Sequence, residues 1–339
     1  MKRQRRRLGG LFFFLGLLIG CAHVDQTSYA PPSMSPSLSS ELQDRVLELD
    51  PEHLSEVDID QVLSKCPAPR VMLLEGSLRV VSMESFGKFL AAMGYPEDKI
   101  RDPRDGSYSY SSSTDSRVMA GMIAWYYEKE GMRPMVIGYS QGGMLSIRIL
   151  HELAGTFHEA VAVWNPLSGM SEERSAIVDP LTRKERSVVG LRLGFASAAA
   201  TGKPMRVLLG QWDALKTLRT IPDTVEEFTG YHLKYDLISG TLFGVGQGDH
   251  YYATGSSSVR NVILPAGIGH LGVPLTEDLA KGRETSSWIK RYVPPKETVE
   301  LSGPFPGEKE NIFFAADLWY SIKKHWCLEL KRWVLAKEK

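Results

Sequence analysis

Cysteine is scarce in this chain: three residues in 339, at positions 21, 66 and 327. No Cys/His spacing matches a zinc site, so neither a metal nor another cofactor is expected. Long apolar runs are almost missing. The longest, Leu8 to Ile19, is too short to cross a bilayer as a permanent helix. An excess of charge of either sign is also lacking, with 40 Lys+Arg against 40 Asp+Glu. The first twenty residues hold five of those basic side chains and no acidic ones. Without them the rest of the chain carries thirty-five basic against forty acidic groups, a formal −5, and no basic run. Nucleic acid is therefore excluded as a partner on electrostatic grounds. There is no internal repeat, which removes the solenoid and propeller architectures. What remains is an ordinary balance of 43% apolar and 24% charged residues, in a length that suits one large domain or one domain with an inserted cap.

Lys2, Arg3 and Arg5 to Arg7 precede the apolar run, the layout of a signal peptide over residues 1–20. It ends in Leu18-Ile19-Gly20-Cys21, which resembles the lipobox of bacterial lipoproteins. That resemblance implies cleavage before Cys21 and a lipid on its sulfur and new amino group. Ala22, where an Asp would retain the protein, implies the outer membrane of a two-membrane cell. Residues 21–39 are rich in Ser and Pro and lack apolar periodicity, as expected of a flexible tether. On the oxidising side of the membrane Cys66 and Cys327 could pair, or remain two buried thiols.

The informative stretch lies at Met135 to Ser146. A short apolar run leads into Gly138-Tyr139-Ser140-Gln141-Gly142, and a segment of helical character follows. Gly-x-Ser-x-Gly between a strand and a helix is the context of a nucleophile elbow, with Ser140 at the tip of a strained turn. Glycines at 138 and 142 would let neighbouring backbone pass without Cβ clashes.

The surrounding chain alternates strands and helices. Arg70 to Gly76 has the pattern of a buried parallel strand. Ser85 to Gly94 predicts a helix, and another, capped by Thr114 or Asp115, runs to Glu130 before Gly131. Ala160 to Trp164, Leu237 to Val245 and Val259 to Leu264 have strand character. Glu277 to Tyr292 and Asn311 to Ala336 have helical character. Between Gly169 and Lys234 the rhythm breaks. Apolar residues from Met205 to Leu218 fall at helical spacing, so residues 169–234 are expected to form an inserted helical cap. The expected fold class is α/β, a mostly parallel sheet flanked by helices. Its core would be residues 40–168 and 235–293, followed by a C-terminal helical extension over 294–339.

This order resembles the α/β-hydrolase superfamily, in its lipase- and esterase-like branch, over roughly residues 70 to 293. The elbow, a late Gly248-Asp249 and the Gly269-His270-Leu271-Gly272 segment carry the resemblance. It implies a Ser, Asp, His chain order for a triad. His270 fits as the base because it follows the last predicted strand; His23, His53, His151, His158, His232 and His325 are less well placed. Two aspartates compete for the acid. Asp249 follows a predicted strand, whereas Asp213 lies in a segment of helical period beside Lys216, so Asp249 is favoured. The resemblance further implies an oxyanion hole from the backbone N–H of Gln141 and that of Ser77, or of Leu78. Glu75-Gly76 stands where many lipases have His-Gly.

The expected activity is hydrolysis of a carboxylic ester, on a small-molecule or lipid substrate, by a membrane-tethered serine hydrolase in the bacterial envelope. An amide, a thioester or a polysaccharide ester would suit the same triad. An inactive hydrolase-fold lipoprotein serving as a binding or scaffold module is the alternative of a different class.

Overall fold

The structure is a computed structural model. It describes residues 38–77, 81–202, 216–267, 269–295, 299–301 and 311–337. Cys21, Leu78 and Asp213 lie outside the described residues.

A parallel sheet forms the centre. Its strands are β1 (Val71–Leu74), β2 (Met135–Tyr139), β3 (Leu193–Ala199), β4 (Val225–His232), β5 (Ser258–Ile263) and the two-residue β6 (Val299–Glu300). They lie side by side in chain order and every pairing is parallel. Parallel neighbours need crossovers, and those crossovers cover both faces. Alternate side chains along each strand feed two separate cores. Val71, Leu73, Ile137, Phe195 and Tyr231 face one of them, and Met72, Leu74, Val136, Ala196 and Phe228 face the other.

On the second face lie α4 (Ser116–Glu130) and α5 (Gln141–Leu153). The first face is covered by α1 (Ser40–Glu48), α2 (Glu56–Gln61), α3 (Glu84–Ala92), α6 (Glu277–Lys281), α7 (Arg283–Arg291) and α8 (Ile312–Lys337). Local chemistry sets their ends. Asp115 caps α4 by accepting from Arg117 N–H, and Gly131 closes it in the left-handed conformation. Ser55 and Asp58 form a reciprocal capping box on α2.

α8 was expected as an extension, yet it is a wall of the core. Trp319, Trp326, Cys327 and Leu330 are fully buried along it. Asp317 of α8 takes both guanidinium nitrogens of Arg260, at 2.8 and 2.6 Å, and the Tyr231 hydroxyl at 2.5 Å. That pairing ties the helix to the ends of β4 and β5.

Two sequence expectations need correction. First, 169–234 is not a helical cap among its described residues. Two antiparallel hairpins, 164–165 with 170–171 and 176–178 with 185–187, are followed by β3 and β4 of the central sheet. Second, Leu237 to Val245 is a run of turns, not a strand. Its apolar side chains face solvent, with Leu237 71% and Phe243 97% exposed. Of the two alternatives for Cys66 and Cys327, the structure has the two buried free thiols. Burial pushes the Cys66 thiol up to about 11 and the Cys327 thiol up to about 12.

Among the described residues, no helix is long and apolar enough to cross a membrane, and no three potential ligand side chains gather around a metal position.

Candidate active site

Ser140 joins β2 to α5. Its φ is 52° and ψ −113°, a conformation that L-residues avoid at a cost of about 1–3 kcal/mol. The surroundings hold it there. Ser140 N–H donates to Ala199 O at 2.7 Å, pinning the turn to the end of β3. The glycines that flank it are obligatory. A Cβ on Gly138 would lie 2.2 Å from Gly142 O, and one on Gly142 would lie 2.2 Å from Leu74 O. The first turn of α5 therefore sits directly against the end of β1.

Across the sheet edge, His270 lies in the loop after β5. Its Nε2 is 3.0 Å from Ser140 Oγ, and its Nδ1 is 2.7 Å from Asp236 Oδ2. Ser140, His270 and Asp236 are all buried to more than nine-tenths. The Tyr139 hydroxyl donates to His270 O at 2.6 Å and its ring meets the imidazole edge-on, which fixes the loop that carries the histidine.

Asp236 lies four residues beyond β4 in a compact turn. Its carboxylate also accepts from Ile238 N–H at 3.0 Å and Ser239 N–H at 3.3 Å. Burial pushes its pKa up, but the bonds from His270 and Ser239, the charge of His270 and the Ile238 N–H together bring it below the usual carboxylate value. An ionised carboxylate can only accept. Nδ1 of His270 must then carry the proton, Nε2 presents its lone pair, and the Ser140 hydroxyl donates to it. The three groups thus form a polarised chain from acid to base to hydroxyl.

Asp249 is not part of that chain. It ends a short 3₁₀ turn, Gln247–Asp249, and its carboxylate accepts from Gly246 N–H at 3.1 Å. Both ring nitrogens of His270 are already engaged, by Ser140 and Asp236. The carboxylate that bonds His270 therefore comes from the loop after β4, a strand that the sequence pattern assigned to a cap. No family model matches this chain. No curated protein matches it either. Among solved structures, the acetyl ester-xyloside bifunctional hydrolase from Caldicellulosiruptor lactoaceticus overlays with a TM-score of 0.32 and 14% identity, over 66% of this chain and 81% of that one. A likeness of that size carries no argument.

Of the two backbone donors expected for an oxyanion, Gln141 directly follows the serine. Gln141 is the first residue of α5, where N–H groups lack intrahelical acceptors and the helix dipole favours negative charge. Ser77 is exposed just past β1. One residue links the two loops: Ser112 Oγ donates to Gly76 O at 2.9 Å, and Gln141 Nε2 donates to Ser112 O at 3.4 Å. The acid loop itself is apolar at its surface, with Tyr235, Leu237, Ile238, Leu242 and Phe243 exposed around Asp236.

Proposed function

We propose that this chain is a serine hydrolase of carboxylic esters, with Ser140 as nucleophile, His270 as base and Asp236 as the acid that orients it. The observation that carries the reading is the hydrogen-bonded run from Asp236 through His270 to a serine held at positive φ. Ser140 Oγ attacks the acyl carbon while its proton passes to His270 Nε2, and Asp236 stabilises the imidazolium. The carbonyl oxygen becomes an oxyanion, for which Gln141 N–H and Ser77 N–H are the proposed donors. Collapse breaks the bond to the alcohol oxygen, which takes the proton from His270. Water then repeats the sequence on the acyl-serine and releases the acid. The exposed apolar side chains of the 235–243 loop suit an acyl chain lying beside the site.

The test uses residues 40–339, short and long p-nitrophenyl esters and a fluorophosphonate probe. Hydrolysis and labelling are expected in the native sequence and in neither case with Ser140→Ala. Failure of the native sequence both to hydrolyse and to label would leave the binding-module alternative. The proposal extends to the envelope address: a lipid on Cys21 and an outer-membrane location rest on the sequence alone. Metabolic labelling with a radioactive fatty acid should vanish in Cys21→Ala; labelling that persists would refute the anchor.

A further inference from the structure

A cavity of about 240 Å³ opens beside the His270 loop, and none of its lining residues comes from the apolar loop around Asp236. One wall is Leu271, adjacent to His270, with Pro274 and Leu275. The opposite wall begins at Val81, whose carbonyl accepts from Gly76 N–H in the loop that carries Ser77. The cavity thus lies between the histidine loop and the second oxyanion loop. The alcohol oxygen leaving an ester must come within reach of His270 Nε2, which protonates it. A cavity on the histidine side is where the remainder of that alcohol would go.

The polar side chains of the cavity decide what alcohol fits. They are Ser82, Glu84, Ser85, Lys88 and Glu277. Ser85 Oγ accepts from Glu277 N–H at 2.9 Å, which leaves its own O–H able to donate outward. Glu84 Oε1 accepts from Tyr108 N–H at 2.8 Å, and Oε2 has further acceptor capacity. Lys88 Nζ stands 3.5 Å from Glu277 Oε2 and is half exposed. Glu277 is paired with both Lys88 and Lys281, at 3.5 and 3.0 Å, so an anionic alcohol such as a phosphate ester would face the Glu84 carboxylate and ammonium groups already engaged. A plain alkyl alcohol would strip water from Glu84 and the Lys88–Glu277 pair and return no hydrogen bonds. A neutral polyhydroxy alcohol, each hydroxyl both donor and acceptor, satisfies every one of these groups. The volume, below the roughly 300 Å³ at which drug-sized sites begin, suits one sugar ring or a glycerol unit.

We infer that this cavity is the leaving-group subsite, and that the substrate is an ester of a neutral polyhydroxy alcohol. Specificity is set by Glu84, Ser85 and Lys88. The inference rests on the serine hydrolase reading given above.

The experiment compares two soluble acetates that share an acyl group: ethyl acetate and a monoacetylated pentose. The native chain should favour the sugar ester in kcat/KM by tenfold or more. Lys88→Ala and Glu84→Gln should each erase much of that preference, lowering kcat/KM for the sugar ester about tenfold while leaving ethyl acetate within twofold. Lys88 is a surface side chain, so this variant is expected to keep the native circular dichroism and melting temperature, and it remains informative if Glu84→Gln does not fold. Equal kcat/KM for the two acetates in the native chain, or a parallel loss on both in a folded Lys88→Ala variant, would overturn the subsite. Absence of all ester hydrolysis with no fluorophosphonate labelling would instead overturn the hydrolase reading itself.

Discussion

Replacing Asp236 by Asn tests the site with a change of one atom. The carboxylate now accepts from His270 Nδ1–H at 2.7 Å while its oxygens also hold Ile238 and Ser239 N–H. An Asn can keep its oxygen toward Ile238 N–H, which holds the turn, at the loss of the weaker bond from Ser239 N–H. Its NH₂ then faces His270 and donates to Nδ1. The histidine is forced into the other tautomer, with its proton on Nε2, and can no longer accept from Ser140 Oγ at 3.0 Å. Loss of the correct tautomer in a Ser-His-Asp array costs about 10⁴ in kcat, or about 5.5 kcal/mol of transition-state stabilisation. Asp249→Asn should stay within about threefold, because Asp236 and Ser140 already engage both ring nitrogens of His270 and Asp249 accepts from Gly246 N–H in its own turn. The assay is kcat on p-nitrophenyl acetate at pH 8, with near-ultraviolet circular dichroism to verify packing. A loss of 10³ or more in Asp249→Asn, with Asp236→Asn close to native, would refute the assignment.

Two other outcomes follow from the same geometry. Gly142→Ala should destabilise the fold by about 3 kcal/mol or more, because its methyl would lie 2.2 Å from Leu74 O and backbone has to move; a melting temperature within 2 °C of native would contradict this. His232 is buried, and burial pushes its pKa down to about 4 despite the bond to Asn261. A lowered folded value means that the unfolded chain binds the extra proton first. Stability from this residue is complete above about pH 6.5 and is lost as pH falls toward 4, by up to about 3 kcal/mol. Urea midpoints across that window should fall less steeply in His232→Gln; an unchanged slope would argue against a neutral buried imidazole.

Much of the site was legible because its signals are local. Gly138, Ser140 and Gly142 are dictated by one crowded turn, and His270 follows a strand, β5, with ordinary β-branched content. The carboxylate beside His270 was missed because β4 does not look like a buried strand. Its sequence, Val225 to His232, includes Glu226 and Glu227. Glu226 pairs with Arg133 and Arg332, and Glu227 with Lys324 and His325, partners almost a hundred residues away or more. No window of local sequence contains those pairings. β3 was missed for a different reason. It packs behind the elbow, where Gly143 faces Ala198 and Thr201, so its residues are small and carry little hydrophobic signal. Leu237 to Val245 misled in the opposite sense, since its apolar residues are exposed at the mouth of the site rather than buried in a sheet.

The placement of α8 has a consequence for how the chain comes to be folded. Its Trp319, Trp326 and Leu330 fill one face of a sheet whose first strand is laid down some two hundred and forty residues earlier. Its Asp317 and Glu329 are the partners of Arg260 and Arg133. A growing chain that stops short of this helix has an open core, Arg260 without its carboxylate partner, and Arg133, beside β2, with Glu226 as its remaining carboxylate. The site around Ser140 and His270 therefore closes late, only once α8 has been made and has docked.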